Sequence, residues 1–311
     1  MSFAMVFPGQ GSQSIGMLAA LAEHEPLVKQ TFAEASDVLG YDLWQLVQQG
    51  SEEQLNSTDK TQPAMLAAGV ATWRVWRHHG GAKPTVMAGH SLGEYSALVC
   101  AGGLDFKTAI SLVRFRGEAM QSAVPQGQGA MAAILGLEDA DVIAGCEIAA
   151  QGEVVQAANF NSAGQVVIAG QKSAVDRAIA VLTEKGAKRA IMLPVSVPSH
   201  TVLMKPAAEQ LAKKLSSIDI QVPDTPIYTV DMRQHQDAQG IRHALYEQLV
   251  GPVCWTQTIR AILDSGIKTI IECGPGKILT GLNRRIDRNK ELVMMAVEDT
   301  PSLQAALVAT K

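Results

Sequence analysis

The feature that most constrains this sequence is a short apolar run that leads into a Gly-x-Ser-x-Gly turn and then into a helix. The run is Thr85 to Ala88, the turn is Gly89 to Gly93, and an alanine-rich helical pattern continues to about Cys100. In this arrangement the serine sits on a strained turn, and its neighbours must be small enough for the backbone to pass close by. The pattern therefore predicts an α/β fold with Ser91 as a nucleophile.

A second buried strand is predicted at the start of the chain, where Phe3 to Phe7 run into the turn-rich loop Pro8 to Gly11. Residues 129–194 have a different pattern, in which strands and helices follow the order βαββαβ of a ferredoxin-like unit. We predict these elements at 130–135 (strand), 138–150 (helix), 154–159 and 165–169 (strands), 173–185 (helix) and 188–193 (strand). We therefore expect an inserted α+β subdomain within a larger α/β domain.

Composition limits the classes of function. The chain has 311 residues, of which 47% are hydrophobic and 18% charged, so it can bury a sizeable core. Its formal net charge of −4 argues against nucleic acid as the main partner, because phosphate binding needs an excess of Lys and Arg. The sequence contains no unbroken run of 18 apolar residues, so it predicts no membrane-spanning helix. No signal peptide is evident. Four cysteines without CxxC spacing are interpreted as free thiols of a cytoplasmic protein.

A serine nucleophile needs a base, and seven histidines are available. Six have settings that favour structural or solvated roles: His24, His78, His79, His90, His235 and His243. His200 differs because it follows Pro194 to Ser199, a rather apolar segment that two prolines hold extended. Elimination therefore favours His200. No acid is evident as a third member, and a carbonyl group could orient the imidazole instead.

Several motifs together resemble those of bacterial malonyl-CoA:acyl carrier protein transacylases, over essentially the whole chain. They are Phe7 to Gln13, Gly89 to Tyr95, Arg116-Gly117, Asn159 to Ser162, Val197 to His200 and Glu272 to Gly276. The resemblance implies an α/β-hydrolase-like core with a parallel sheet, formed by residues 1–125 and 195–311, and a ferredoxin-like insert at 126–194. It also implies a monomeric cytoplasmic enzyme.

The resemblance assigns roles to individual positions. Ser91 and His200 match the nucleophile and the base. The backbone amides of Gln10 and Leu92 match the oxyanion donors. The position of Leu92 at the start of the helix after Ser91 independently favours its amide as a donor. The implied role of the Gln248 main-chain carbonyl is to orient the histidine. The remaining two matches, Arg116 and Asn161, are implied to bind the substrate, with Arg116 on the malonyl carboxylate.

An arginine suits that task, because a buried carboxylate needs a partner and a guanidinium can take it with two parallel hydrogen bonds. The resemblance implies malonyl transfer from the coenzyme A thioester to the phosphopantetheine thiol of acyl carrier protein, through a malonyl-serine, without metal or other cofactor. The product would supply fatty acid synthesis. Three alternatives stay open: an acyltransferase of polyketide synthesis, a serine hydrolase or thioesterase, and a non-catalytic module that binds carrier protein.

Overall fold

The structure is a computed structural model that describes residues 1–195, 197–229 and 237–311. Two residues named above, Ser196 of the predicted extended segment and His235, lie outside these ranges. The described strands are β1 (Ala4–Phe7), β2 (Val86–Gly89), β3 (Gly129–Leu135), β4 (Val155–Ser162), β5 (Gln165–Gln171), β6 (Arg189–Met192), β7 (Ile227–Tyr228), β8 (Thr269–Cys273) and β9 (Val293–Val297).

The helices between these strands vary from one turn to six. In chain order they are α1 (Ala19–Ala22), α2 (Pro26–Leu39), α3 (Leu43–Gln49), α4 (Glu52–Asn56), α5 (Thr58–His78), α6 (Gly93–Cys100), α7 (Phe106–Ala123), α8 (Asp139–Ala150), α9 (Lys172–Glu184), α10 (Lys205–Leu215), α11 (Ala238–Val250), α12 (Trp255–Asp264), α13 (Ile278–Ile286) and α14 (Thr300–Ala309). A short 3₁₀ turn, Val202–Met204, precedes α10.

The chain divides into two compact units. The first contains residues 1–117, 218–241 and 258–311, and the second contains residues 118–217 and 242–257. The second unit includes the insert expected at 126–194 and extends beyond it on both sides. The division at 125/126 and 194/195 stays a prediction.

The first unit is built on a parallel sheet with the strand order β7-β2-β1-β8-β9 in the described residues. Its central strands β1 and β8 are buried along their whole length, as expected for a parallel sheet covered on both faces. Phe7 at the end of β1 is in register with Gly89 at the end of β2. The loops that follow β1 and β2 therefore leave the sheet side by side, at the carboxyl ends of these strands.

The second unit contains an antiparallel sheet with the order β4-β5-β3-β6. Helices α8 and α9 supply apolar side chains to one core with this sheet, including Val142, Cys146 and Leu182. The order of elements is β3-α8-β4-β5-α9-β6, which is the predicted βαββαβ order. The predicted fold class, α/β with a parallel sheet and a ferredoxin-like α+β unit, is confirmed.

The predicted element limits are close to the observed ones, with one difference that has a clear cause. The helical spacing of Met65, Leu66, Val70, Trp73 and Trp76 predicts a helix over about 63–79. The observed helix α5 begins at Thr58, and Pro63 lies inside it. A proline normally marks the first turn of a helix, because it lacks the N–H that a later position would donate. Here the first turn is fixed by other bonds: the Thr61 hydroxyl donates to the carbonyls of Leu55 and Ser57.

None of the helices in the described ranges is both long enough and apolar enough to cross a bilayer.

Candidate active site

Ser91 lies at the tip of a tight turn between β2 and α6. Its φ is 50°, in the left-handed region that residues with a Cβ rarely adopt. The turn is closed by hydrogen bonds from Gly93 N to His90 O (2.9 Å) and from Glu94 N to Ser91 O (3.0 Å). A further bond from His90 N to Phe7 O (3.0 Å) ties the turn to the end of β1. The predicted strained turn is therefore present, with Ser91 at its apex.

The two glycines of the motif are required by close backbone contacts. A Cβ on Gly89 would lie 1.9 Å from the carbonyl carbon of Gly93, and a Cβ on Gly93 would lie 2.0 Å from Phe7 O. Real Cβ atoms do not approach backbone atoms this closely, so neither position accepts a larger residue without moving a strand or a helix. These contacts bring the start of α6 directly onto the ends of β1 and β2.

The loop after β1 packs against the same turn. A Cβ on Gly9 would lie 2.3 Å from His90 O, so the loop backbone is in direct contact with the residue before Ser91. Gln13 holds the loop closed: its Oε1 accepts from Gly11 N (2.7 Å) and its Nε2 donates to Asn56 Oδ1 (2.7 Å). Gln10, between Gly9 and Gly11, is thereby placed beside the nucleophile turn.

Two backbone N–H groups near Ser91 are available to donate hydrogen bonds to a ligand. Within the described part of the chain, neither the Gln10 N–H nor the Leu92 N–H donates a hydrogen bond to the protein. Leu92 stands at the N-cap of α6, where the helix leaves its first amides without intrahelical acceptors and carries partial positive charge. Two such donors beside a serine hydroxyl form a suitable site for a developing oxyanion.

Arg116 is a buried charged group beside Ser91, and the buried carboxyl of Glu94 acts on its charge. Arg116 lies on α7 with 2% of its surface exposed, and its Nη2 is 3.3 Å from Ser91 Oγ. Its Nη1 donates to Gln62 Oε1 at 2.8 Å, and the guanidinium lies 5.4 Å from the centre of the Tyr95 ring. Burial lowers the pKa of Arg116, but guanidinium groups remain protonated in proteins. The structure thus places a buried cation next to the predicted nucleophile.

Tyr95 supplies an aromatic wall beside this cation. Burial raises the pKa of its hydroxyl to about 12, although the nearby Arg116 acts in the opposite direction. The phenol is therefore neutral at physiological pH. It contributes ring contact with the guanidinium without adding a negative charge that would compete for it.

His200 belongs to the second unit, and its geometry there is well defined. Its side chain is 5% exposed, its φ is 63°, and its Nδ1 lies 2.7 Å from the main-chain oxygen of Gln248. A carbonyl oxygen only accepts, so Nδ1 carries the proton and Nε2 carries the lone pair. Thr201 fixes the backbone beside it by donating to Pro198 O (2.8 Å). The imidazole is thus held in the tautomer that a general base requires.

Strand β4 supports both segments that orient the histidine. Gln156 Oε1 on β4 accepts from Val202 N (3.1 Å), two residues after His200. Further along, Phe160 N donates to Val253 O and Val253 N donates to Ala158 O, both at 2.9 Å, in the segment that follows α11 and Gln248. β4 therefore holds the histidine loop and the end of the helix that supplies its acceptor.

Asn161 lies on the same strand and is 8% exposed. The register of β4 against β5 shifts between Phe160 and Ser162, so Asn161 stands at an irregularity of the sheet. Asn161 is therefore a buried polar side chain on a strand of the second unit. The predicted substrate-binding role of Asn161 stays a prediction.

The predicted site residues thus fall into two groups. The first unit brings together Ser91, Leu92, Gln10 and Arg116, and the second brings His200 onto Gln248. The catalytic pairing of Ser91 with His200 stays a prediction. Arg114, interpreted as structural, donates to Leu39 O at 3.1 Å.

Two buried polar residues of the first unit were not among the candidate site residues predicted from the sequence. One is Gln62, the acceptor for Arg116, which stands among apolar residues on the buried face of α5. The other is Glu272 at the end of β8, whose carboxylate accepts from the amides of Leu279 and Thr280 and from the Thr280 hydroxyl. A polar residue on an otherwise apolar, buried face was the available signal in both cases, since buried polar groups need partners.

No group of three or more His, Cys, Asp or Glu side chains able to hold a metal ion occurs within residues 1–195, 197–229 and 237–311.

Comparison with known proteins places this geometry in a family context. The model of the acyl transferase domain family matches residues 4–299. The malonyl CoA-acyl carrier protein transacylase of Salmonella typhimurium is 56% identical over 306 residues, which are 98% of this chain and 98% of that relative. The corresponding relative from Haemophilus influenzae is 57% identical over 305 residues, with 97% of each chain covered.

Solved structures agree with this relationship. The malonyl CoA-acyl carrier protein transacylase from Coxiella burnetii has a TM-score of 0.98 to this chain at 52% identity, covering 100% of this chain and 98% of that one. A malonyl-transacylase in complex with its type II PKS acyl-carrier protein has a TM-score of 0.97 at 58% identity, covering 99% and 100%. This chain therefore belongs to the acyl transferase domain family.

Proposed function

We propose that this chain is an acyl-carrier-protein S-malonyltransferase. It moves the malonyl group from malonyl-CoA to the phosphopantetheine thiol of an acyl carrier protein, through an ester on Ser91. The observation that carries the proposal is the buried guanidinium of Arg116, 3.3 Å from Ser91 Oγ. The names of the Salmonella and Haemophilus relatives, at 56% and 57% identity, support it.

In the first half-reaction, His200 Nε2 takes the proton of the Ser91 hydroxyl as the oxygen attacks the thioester carbonyl. The oxyanion of the tetrahedral intermediate accepts hydrogen bonds from the amides of Gln10 and Leu92. Coenzyme A then leaves as a thiol, with the proton returned by His200, and malonyl-Ser91 remains. The bond from Nδ1 to the Gln248 carbonyl (2.7 Å) supports this assignment, because it keeps the lone pair on Nε2.

In the second half-reaction, the carrier-protein thiol attacks malonyl-Ser91 and His200 accepts its proton. The same amides stabilise the intermediate, and the serine leaves protonated. The acyl donor and the acyl acceptor use the same site in turn, through the malonyl-Ser91 intermediate. Ping-pong kinetics are therefore expected. All groups in these steps belong to the chain or to the two substrates, so the proposal invokes no metal or other cofactor.

Arg116 sets the class of acyl group in this proposal. A malonyl ester on Ser91 ends in a carboxylate, and a cation beside Ser91 Oγ is placed to bind it with parallel hydrogen bonds. Asn161 is proposed as a second substrate-binding residue, on the resemblance of its motif and its burial on β4. A hydrolase acting on neutral esters would give a buried cation beside the nucleophile no task.

The partner and pathway are proposed on similar grounds. One similar structure, at 58% identity, is a malonyl-transacylase in complex with its type II PKS acyl-carrier protein, and this supports an acyl carrier protein as the acceptor. We propose fatty acid synthesis as the pathway and a monomer in the cytoplasm as its form. The same complex favours polyketide synthesis as the second candidate pathway. Growth of a conditional mutant with and without exogenous fatty acids would distinguish the two.

The proposal is tested by intact-protein mass spectrometry after incubation with malonyl-CoA. The wild type should gain the mass of one malonyl group and lose it on addition of holo acyl carrier protein, which should gain it. Ser91→Ala should gain nothing, and His200→Ala should acylate roughly 10²- to 10⁴-fold more slowly. Release of free malonate at the rate of labelling would instead support a hydrolase. An unlabelled wild type would contradict the proposal and support a non-catalytic module.

A further inference from the structure

We propose that Gln62 is a positioning residue that determines the preference of this site for acyl groups ending in a carboxylate. Its side-chain oxygen holds the Arg116 guanidinium against Ser91 without adding a negative charge beside it. The inference rests on the proposed function, since it concerns the acyl group that Ser91 receives.

The geometry separates the two ends of the guanidinium. Nη1 donates to Gln62 Oε1 at 2.8 Å, while Nη2 faces Ser91 Oγ at 3.3 Å. Both residues are buried, with 1% of Gln62 and 2% of Arg116 exposed. Bulk water therefore has little access to this bond, and the acceptor on Nη1 is the protein's own amide. One end of the fork is anchored and the other end is directed to the reacting position.

The anchor is itself fixed by the contact between two helices. A Cβ on Gly117 of α7 would lie 2.8 Å from Asp59 Cα and from Thr58 O, so α7 packs backbone to backbone against the first turn of α5. Gln62 follows one turn later on α5, beside the residue that precedes Gly117. The absence of a side chain at Gly117 thus sets the distance over which Gln62 and Arg116 meet.

The chemistry of the anchor matters because the oxygen belongs to an amide. A carboxylate at this position could make the same hydrogen bond, but it would also neutralise the guanidinium in a site of low dielectric constant. A second carboxylate, that of a malonyl group, would then meet a neutral pair instead of a cation. A neutral acceptor orients the fork and adds no further negative charge to that of the buried Glu94, which already acts on the guanidinium.

The decisive variant is Gln62→Glu, which keeps the shape and the acceptor oxygen and adds a negative charge. We expect the ratio of malonyl to acetyl transfer, measured as kcat/KM with the two coenzyme A thioesters, to fall at least tenfold. Malonyl transfer should fall more than acetyl transfer. Gln62→Met, which removes the acceptor but adds no charge, should lower malonyl transfer with a smaller change in the ratio.

Two controls make the outcome specific. Gln48→Glu adds the same charge at a half-buried glutamine elsewhere in the first unit, where the wild-type side chain donates to Met17 O, and should leave the ratio unchanged. The second control is transfer from acetyl-CoA by Gln62→Glu, which should fall much less than malonyl transfer, because a purely structural defect would lower both transfers equally.

The results separate this inference from the proposed function. If the wild type accepts malonyl groups and Arg116→Ala changes the preference, but Gln62→Glu lowers both transfers equally or leaves their ratio unchanged, the inference about Gln62 is wrong and the proposed function stands. If the wild type transfers no malonyl group, the proposed function fails first.

Discussion

At the scale of single residues, the defining feature is the buried charge of Arg116 beside Ser91 Oγ. Arg116→Ala removes the proposed partner of the malonyl carboxylate, and a hydrogen bond to a charged group contributes roughly 1.5–3 kcal/mol. We expect kcat/KM for malonyl-CoA to fall about ten- to a hundredfold, while transfer from acetyl-CoA falls less. Steady-state assays with the two thioesters measure this change in preference.

Arg114→Ala is the matched control, since that arginine lies on the same helix but donates to Leu39 O. It should keep the malonyl preference. Arg116→Lys should be intermediate, because an ammonium keeps the charge and loses the planar fork. An unchanged preference in Arg116→Ala would show that another group recognises the carboxylate.

At the scale of elements, the loop after β1 depends on a position without a side chain. A Cβ on Gly9 would lie 2.3 Å from His90 O, which is backbone and cannot rotate away. Gly9→Ala should therefore displace the loop and with it the Gln10 amide. Removal of one oxyanion donor costs about 10²- to 10³-fold in kcat. Acylation of Ser91, followed by mass spectrometry under single-turnover conditions, should slow by that order.

The matched control for Gly9→Ala is Gly281→Ala on α13, where an added Cβ meets no atom within 4 Å. That variant should acylate at the wild-type rate. Circular dichroism of both variants checks that the fold persists. A Gly9→Ala protein that folds and acylates normally would contradict the placement of Gln10 as a donor.

A second element-scale prediction concerns the start of α13, which the Glu272 carboxylate caps through the amides of Leu279 and Thr280. Burial raises the pKa of Glu272 from 4.5 to about 7, although hydrogen bonds from Thr280 and Leu279 act to lower it. Between about pH 4.5 and pH 7 the folded protein holds a proton that the unfolded chain has released. The contribution of this group to stability is full below that window and is lost as the pH rises through 7.

Glu272→Gln cannot titrate and should lack this pH dependence. The difference in Tm between wild type and Glu272→Gln should therefore shift by roughly 3–10 °C in favour of the variant between pH 5 and pH 8. Differential scanning calorimetry at the two pH values measures the shift. Glu291→Gln, at an exposed ion pair with Lys268, should show a nearly constant difference. A constant difference for Glu272→Gln as well would contradict the raised pKa.

At the scale of the whole molecule, the sequence predicts best what is local and periodic. The ferredoxin-like unit follows in one continuous segment, so its element order and limits could be predicted to within a few residues. β7 is only two residues long, which is too short to show a period, and its residues pair with residues of β2 that lie 140 positions earlier. Its existence depends on a pairing that no local pattern encodes.

The candidate site follows the same rule. The turn around Ser91 could be predicted because a strand, a glycine-flanked serine and a helix adjoin in sequence. The contact of Arg116 with Gln62 could not, since 54 positions separate them and a single glutamine in an apolar helix does not reveal its partner. The acceptor of His200 is a backbone oxygen, which any residue at position 248 supplies. Only the family resemblance indicates that position.

The left-handed backbone at Ser91 and His200 has a consequence for the stability of the protein. Within the described ranges only two other non-glycine residues, Leu18 and Gln151, have positive φ. An L-residue in this conformation is less stable than glycine by on the order of 1–2 kcal/mol. At both positions, the proposed need for a reactive side chain thus opposes a thermodynamic preference for glycine. Replacement of Ser91 or His200 by glycine would relieve this backbone strain and remove the side chain that the proposed chemistry needs.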